Sequence, residues 1–223
     1  MNPAPKKIRA VLFDMDGTLV DSEATHFRAM QDLLDEQELT LPPGFDEACT
    51  GMTIGAVHER LVDQCGMTME LPVFVERKNG RFIARLAELR RRHGASEALA
   101  VLAKAGVPHA IVSNSERPVM DASLAALGLI EPGGVTVSRN EVEHGKPAPD
   151  PYLRAAALLG VAPGDCAVVE DSAPGAAAGL AAGMLTIGWP EPHRDDIVFP
   201  PGAQVLAATE QGGELAELLR SLV

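Results

Sequence analysis

The chain has 223 residues, 46% hydrophobic and 22% charged, enough for one sizeable globular domain or one domain with a smaller insertion, and unlike a disordered or fibrous polymer. Its formal net charge of −12 repels a phosphate-rich polymer over most of the surface, so nucleic-acid binding is not expected. Three cysteines, Cys49, Cys65 and Cys166, are odd in number and lack C-x-x-C spacing, which argues against a disulfide framework or a zinc site and for free thiols in a reducing compartment.

The N-terminus carries two lysines and then an apolar run broken by Asp14, too short for a secretory leader. No window approaches the ~18 uncharged apolar residues of a membrane span, so a cytoplasmic protein without membrane contact is expected. Residues 8–13, IRAVLF, read as a buried strand. Residues 22–38 read as a helix with Ser22 at its N-cap and Phe27, Met30, Leu33 and Leu34 at helical spacing, stopped by Pro42-Pro43-Gly44. Two short helices are predicted around a turn at Gly51–Thr53. A longer helix follows from residue 71, ending in Arg90, Arg91, Arg92 and His93 before Gly94, a basic last turn facing solvent.

From about residue 95 the pattern alternates. SEALAVLAKAG predicts a helix with Ser96 at the cap, HAIVSNS a strand, RPVMDASLAALG a helix and GGVTVS a strand. DPYLRAAALLG predicts a helix with Asp150 at the N-cap and Pro151 next, and CAVVEDS a strand. PGAAAGLAAG predicts a helix, MLTIGW a strand and residues 213–222 a final helix. Such alternation implies an α/β fold, a Rossmann-like doubly wound parallel sheet with helices on both faces. Its core takes residues 1–19 and 93–223, and residues 20–92 form an inserted all-helical domain.

In an open parallel sheet, ligands bind at the carboxyl ends of the strands. Three predicted strands end there in polar residues: Asp14-x-Asp16, Ser113-Asn114-Ser115 and Glu170-Asp171-Ser172. Lys146 adds a cation from the loop GKPAPDPY, which is not a nucleotide-binding GK[ST] loop. Asp14 and Asp16, two apart in an extended segment, share one side and shift each other's proton affinity. That suits one as nucleophile and the other as general acid/base. Asp171 and Glu170 add negative charge that calls for a hard, oxygen-bound cation, with Mg²⁺ favoured. Lys146, the Ser113 hydroxyl and the Asn114 backbone N–H then hold phosphoryl oxygens while Asp14 attacks phosphorus, giving an aspartyl-phosphate that water hydrolyses. His58-Glu59 does not extend to H-E-x-x-H, so no zinc site is read there.

FDMDGTLVDSE, IVSNS, GKPAPDPY and VVEDS together resemble the four motifs of the haloacid dehalogenase superfamily, in the subgroup of β-phosphoglucomutases and sugar-phosphate phosphatases with a helical cap after the first motif. The resemblance covers essentially the whole chain. It implies Asp14 as nucleophile, Asp16 as general acid/base, Ser113 and Lys146 on phosphate, and Mg²⁺ on Asp14, the Asp16 carbonyl and Asp171. Glu170 either ligates the ion or stands behind it. The cap is where the resemblance places substrate choice. His26, the Gly51-Met52-Thr53 turn and Lys78-Asn79 are similar to substrate-binding positions of the mutases, although His26 also reads as an ordinary helix residue and Lys78 as part of a solvated face. Ile54 stands where the mutases carry an arginine for a second phosphate. The resemblance thus implies a Mg²⁺-dependent phosphatase acting on a small phosphorylated metabolite, with a β-phosphoglucomutase-like isomerase as the alternative; the acidic surface, for its part, is compatible with a monomer or weak homodimer.

Overall fold

The computed structural model describes residues 7–49, 52–192, 194, 196–207, 209 and 212–223. They fall into two compact units, one of residues 22–89 and one formed by the chain on either side. The outer unit begins with β1 (Ala10–Asp14) and β2 (Val20–Asp21). The helical unit holds α1 (Glu23–Asp35), α2 (Phe45–Cys49), α3 (Ile54–Cys65) and α4 (Leu71–Ala84). The chain re-enters the outer unit at β3 (Arg90–Arg91) and continues through α5 (Ala95–Ala105), β4 (His109–Val112), α6 (Arg117–Ala126) and β5 (Val135–Val137). It ends with α7 (Asp150–Leu159), β6 (Cys166–Glu170), α8 (Ala173–Ala181), β7 (Leu185–Gly188), β8 (Gln204–Val205) and α9 (Gly213–Leu222).

Six strands form one parallel sheet in the order β5-β4-β1-β6-β7-β8. The chain leaves β1 toward β4 and β5, then crosses back to lay β6, β7 and β8 on the other side. That reversal opens a crevice beside the carboxyl end of β1. Both faces of the sheet are covered: Ala10, Leu12, Ala110, Val112 and Val168 pack with Tyr152 and Ala155 of α7 and Ala178 of α8, and the alternate residues Val11, Phe13, Ile111 and Val169 are equally buried. The near-continuous apolar runs of these strands follow from that double burial.

The helical unit has its own core, in which Leu33 and Leu34 of α1, Leu61 of α3 and Phe74 of α4 are fully buried. Arg85 adds a fork to α1, its Nε and Nη2 donating to the Asp32 carboxylate at 2.6–2.9 Å. Among the described residues no helix is long and apolar enough to cross a membrane.

Three local expectations need correction. The helix from residue 71 stops at Ala84, followed by a single 3-10 turn at Leu86–Glu88. Arg90 and Arg91 then pair antiparallel with Asp21 and Val20. Both chain crossings between the units leave the sheet side by side, and a paired ribbon satisfies their backbone groups better than a helix end. The basic run is therefore not a solvated last turn. Arg91 does serve a helix terminus, that of α6, by donating to the carbonyls of Leu127 and Gly128 at 2.7 and 3.0 Å, and Arg92 is buried. Gly94, not Ser96, stands at the N-cap of α5. Pro149, not Asp150, precedes α7, and the Asp150 carboxylate meets His144 at 3.3 Å instead of capping.

Phe74→Ala empties the centre of the helical core and is expected to cost about 3–5 kcal/mol, read as a lower urea midpoint; an unchanged midpoint would contradict the packing described.

Candidate active site

Asp14 ends β1, Ser113 follows β4, and Glu170 and Asp171 end β6 and begin its loop, so the strand order brings three of the four motifs to one edge. Lys146 arrives from the loop between β5 and α7. Its ammonium bonds one carboxylate oxygen of Asp14, lies 2.7 Å from Glu170 Oε1 and donates to the carbonyl of Val112 at 3.0 Å. Asp14, Lys146 and Glu170 are all buried. Asn114 holds the lysine from behind: its Oδ1 accepts the Lys146 N–H at 2.9 Å and its Nδ2 donates to the Lys146 carbonyl at 3.2 Å.

Asp16 is held by two hydroxyls. Its Oδ2 accepts from the hydroxyls of Ser113 at 3.0 Å and Ser115 at 2.9 Å. Sequence reasoning assigned Ser113 but passed over Ser115, although the i, i+2 spacing in Ser113-Asn114-Ser115 signals two side chains on one side. Glycine makes room on both flanks. A Cβ on Gly17, which has φ of +78°, would lie 2.3 Å from Asp171 Oδ2, and one on Gly175 would lie 1.9 Å from the Glu170 carboxyl carbon. Thr18 donates to Asp171 Oδ1 at 3.0 Å.

Burial raises the Asp14 pKa well above the ordinary carboxylate range; Lys146 opposes this, while Glu170, Asp171 and Asp16 add to it. For Lys146 burial works against the charge, but Asp14 and Glu170 outweigh it and raise its pKa, so the ammonium stays protonated. Tyr152, fully buried on α7, donates to Glu170 Oε1 at 2.5 Å, and its own pKa is raised by burial and then by Glu170 and Asp14. Nothing in the sequence distinguished Tyr152 from a core aromatic.

Asp14, Glu170 and Asp171 each bring a carboxylate oxygen within 4.8 Å of the others. Three carboxylates against one ammonium form an all-oxygen donor set with negative charge in excess, which fits a hard divalent cation. Glu170 has partners on both oxygens: Oε1 faces Lys146 and Tyr152, and Oε2 accepts from Ser172 at 2.9 Å.

The remaining candidates belong to the helical unit. His26 on α1 and Lys78 on α4 come together, with Lys78 Nζ 2.9 Å from His26 Nδ1, and the imidazole stacks on Phe82 at 4.0 Å between ring centroids. Thr53 is exposed and caps α3, accepting the Ala56 N–H at 3.3 Å. Gly51 lies outside the described residues.

A haloacid dehalogenase-like hydrolase family model matches residues 8–183. The chain belongs to this family. Within it, the haloacid dehalogenase-like chain is 33% identical to hexitol phosphatase A of Escherichia coli K12 over 94% of its own length and 98% of that protein. It is 28% identical to the β-phosphoglucomutase of Bacillus subtilis 168, covering 81% of this chain and 83% of that one. A solved HAD family hydrolase of Deinococcus radiodurans R1 with bound phosphate and sodium is 34% identical, with a TM-score of 0.68 over 96% of this chain and 94% of that one.

The raised Asp14 pKa carries a sign that can be checked. A folded-state pKa above the unfolded value means that the ionised carboxylate opposes folding: the penalty is absent below the unfolded pKa, grows as pH rises from there through the folded pKa, and is constant above it. In EDTA at neutral pH, Asp14→Asn is expected to melt higher than wild type, by about 2–4 °C for each kcal/mol relieved, while Lys146 keeps Glu170 as its partner. Equal or lower melting would show that the Lys146 bond outweighs the burial of Asp14.

Proposed function

We propose that this phosphoric monoester hydrolase removes phosphate from a small phosphorylated metabolite, a sugar phosphate or a similar compound, through an aspartyl-phosphate on Asp14 and with Mg²⁺ as cofactor. The supporting observation is the arrangement at one strand end: Asp14 sits buried against Lys146, and two residues later Asp16 accepts from the hydroxyls of Ser113 and Ser115. Lys146 fixes one Asp14 oxygen and leaves the carboxylate oriented for in-line attack on phosphorus. Asp16, held through Oδ2 by Ser113 and Ser115, is assigned the proton that goes to the departing alkoxide. The same carboxylate then takes a proton from the water that cleaves the aspartyl-phosphate. Asp14, Asp171 and the Asp16 carbonyl, with Glu170 beside them, would hold Mg²⁺, whose charge offsets that of the transferring phosphoryl group.

The β-phosphoglucomutase reading is the second one, favoured by the meeting of His26 and Lys78. Against it, the first residue of α3 is Ile54, exposed and without charge for a second phosphate. Phosphate release from a broad panel of phosphorylated metabolites, with Mg²⁺ and with EDTA, decides between the two. Metal-dependent release from one compound class is expected. Silence across the panel, with β-glucose 1-phosphate isomerised once a bisphosphate primer is added, would establish the mutase.

Asp14→Asn is expected to lower turnover by roughly 10⁴-fold or more with the fold intact. Asp16→Asn is expected to lose about 10²–10⁴-fold and to accumulate phosphoenzyme when the leaving group is a good one, detected as a burst in rapid-quench kinetics.

A further inference from the structure

Among the described residues four charged side chains are buried: Asp14, Lys146, Glu170 and Arg92. Three make the site, and the fourth takes no part in the steps above. Arg92 lies just past β3 and is 8% exposed. Its Nη1 donates to the carbonyls of Gly17 at 2.8 Å and Trp189 at 2.7 Å, and its Nη2 to the carbonyl of Pro190 at 2.5 Å. The guanidinium carbon stands 3.7 Å from the ring centre of Trp189, whose indole N–H is fixed by Glu214 at 2.9 Å. The Arg92 backbone N–H donates to the Leu19 carbonyl at 3.0 Å.

Two of these anchors, Gly17 and Trp189, lead to the acids. Gly17 precedes Thr18, which donates to Asp171, and a Cβ at Gly17 would overlap that same carboxylate. The Trp189 backbone N–H donates to the Glu170 carbonyl at 2.6 Å. A single guanidinium therefore ties the turn that follows Asp14-x-Asp16 to the segment that supports the end of β6. Only arginine supplies this geometry, because a planar fork can reach three carbonyls while stacking on an indole, and a lysine ammonium cannot. Burial lowers the Arg92 pKa, and Asp171, Glu191, Glu214 and Asp21 oppose that fall.

We propose that Arg92 is a positioning residue of the hydrolase site: by holding the Gly17–Thr18 turn against Asp171, it sets the orientation in which Asp14 and Asp171 receive the divalent cation. This rests on the phosphatase reading for its catalytic consequence but not for its metal consequence.

The test uses the full-length protein and Mn²⁺, a paramagnetic stand-in for Mg²⁺ whose free concentration is read by electron paramagnetic resonance. Arg92→Lys keeps the charge and loses the fork. It is expected to weaken Mn²⁺ binding and to lower kcat by about 10–100-fold, the range for residues that orient metal ligands, with KM changed far less. Thr18→Val cuts the next link and is expected to weaken Mn²⁺ binding similarly, with a double-variant loss smaller than the sum of the two. Should Arg92→Lys fail to fold, Thr18→Val decides alone. Wild-type Mn²⁺ affinity in either folded variant overturns the proposal, even if its melting temperature falls. A wild-type protein that binds no Mn²⁺ overturns the metal site and the proposal together. One that binds Mn²⁺ and transfers phosphate from nothing overturns only the phosphatase reading.

Discussion

The ammonium of Lys146, held between the carboxylates of Asp14 and Glu170, is the interaction on which the sheet unit is organised. Two carboxylates cannot be buried side by side without a cation, because the penalty for desolvating each is several kcal/mol. The lysine must therefore arrive from a distant loop in a fixed position. Asn114 supplies that position by pairing with both the N–H and the carbonyl of residue 146. Tyr152 and Ser172 then satisfy what the lysine leaves of Glu170, so no described buried side-chain polar atom lacks a partner. Removing the ammonium would leave two buried charges uncompensated, a loss of about 3–5 kcal/mol in comparable pairs.

This cluster needs the ends of β1, β4 and β6 to be adjacent, and the strand order provides it. β1 lies between β4 and β6, with Asp14 level with Val112 and Phe13 level with Val169. The reversal of strand order at β1 leaves its carboxyl end uncovered by any crossover helix, and a polar site can form there without interrupting either apolar face. The helical unit rests on different physics. Its core of Leu33, Leu34, Leu61 and Phe74 and the Arg85–Asp32 fork lie within residues 22–89.

Most of the site was legible in the sequence because its parts are local. An apolar run that stops at a carboxylate, hydroxyls two apart after a strand, and a lysine before a Pro-led helix are each visible within a dozen residues. Ser115 was legible too, through the same spacing that singled out Ser113. Tyr152 and Arg92 were not. An aromatic on the apolar face of a helix gives the same pattern whether it fills space or donates to a buried acid. A basic run before a glycine reads as a helix end, because the strand that pairs with it lies some seventy residues earlier. Two-residue strands such as β2, β3 and β8 carry no periodicity of their own.

The class of fold, the order of its longer elements and the identity of the candidate acids and lysine are readable from the sequence alone, since burial periodicity and helix punctuation are properties of neighbouring residues. How the charges divide was settled by packing. It paired Lys146 with Asp14 and Glu170, gave Asp16 to two serines, and drew Arg92 into the core beneath the turn at Gly17. The reason is that electrostatic pairing acts through distance and local dielectric, and neither is defined until remote segments of the chain have packed together.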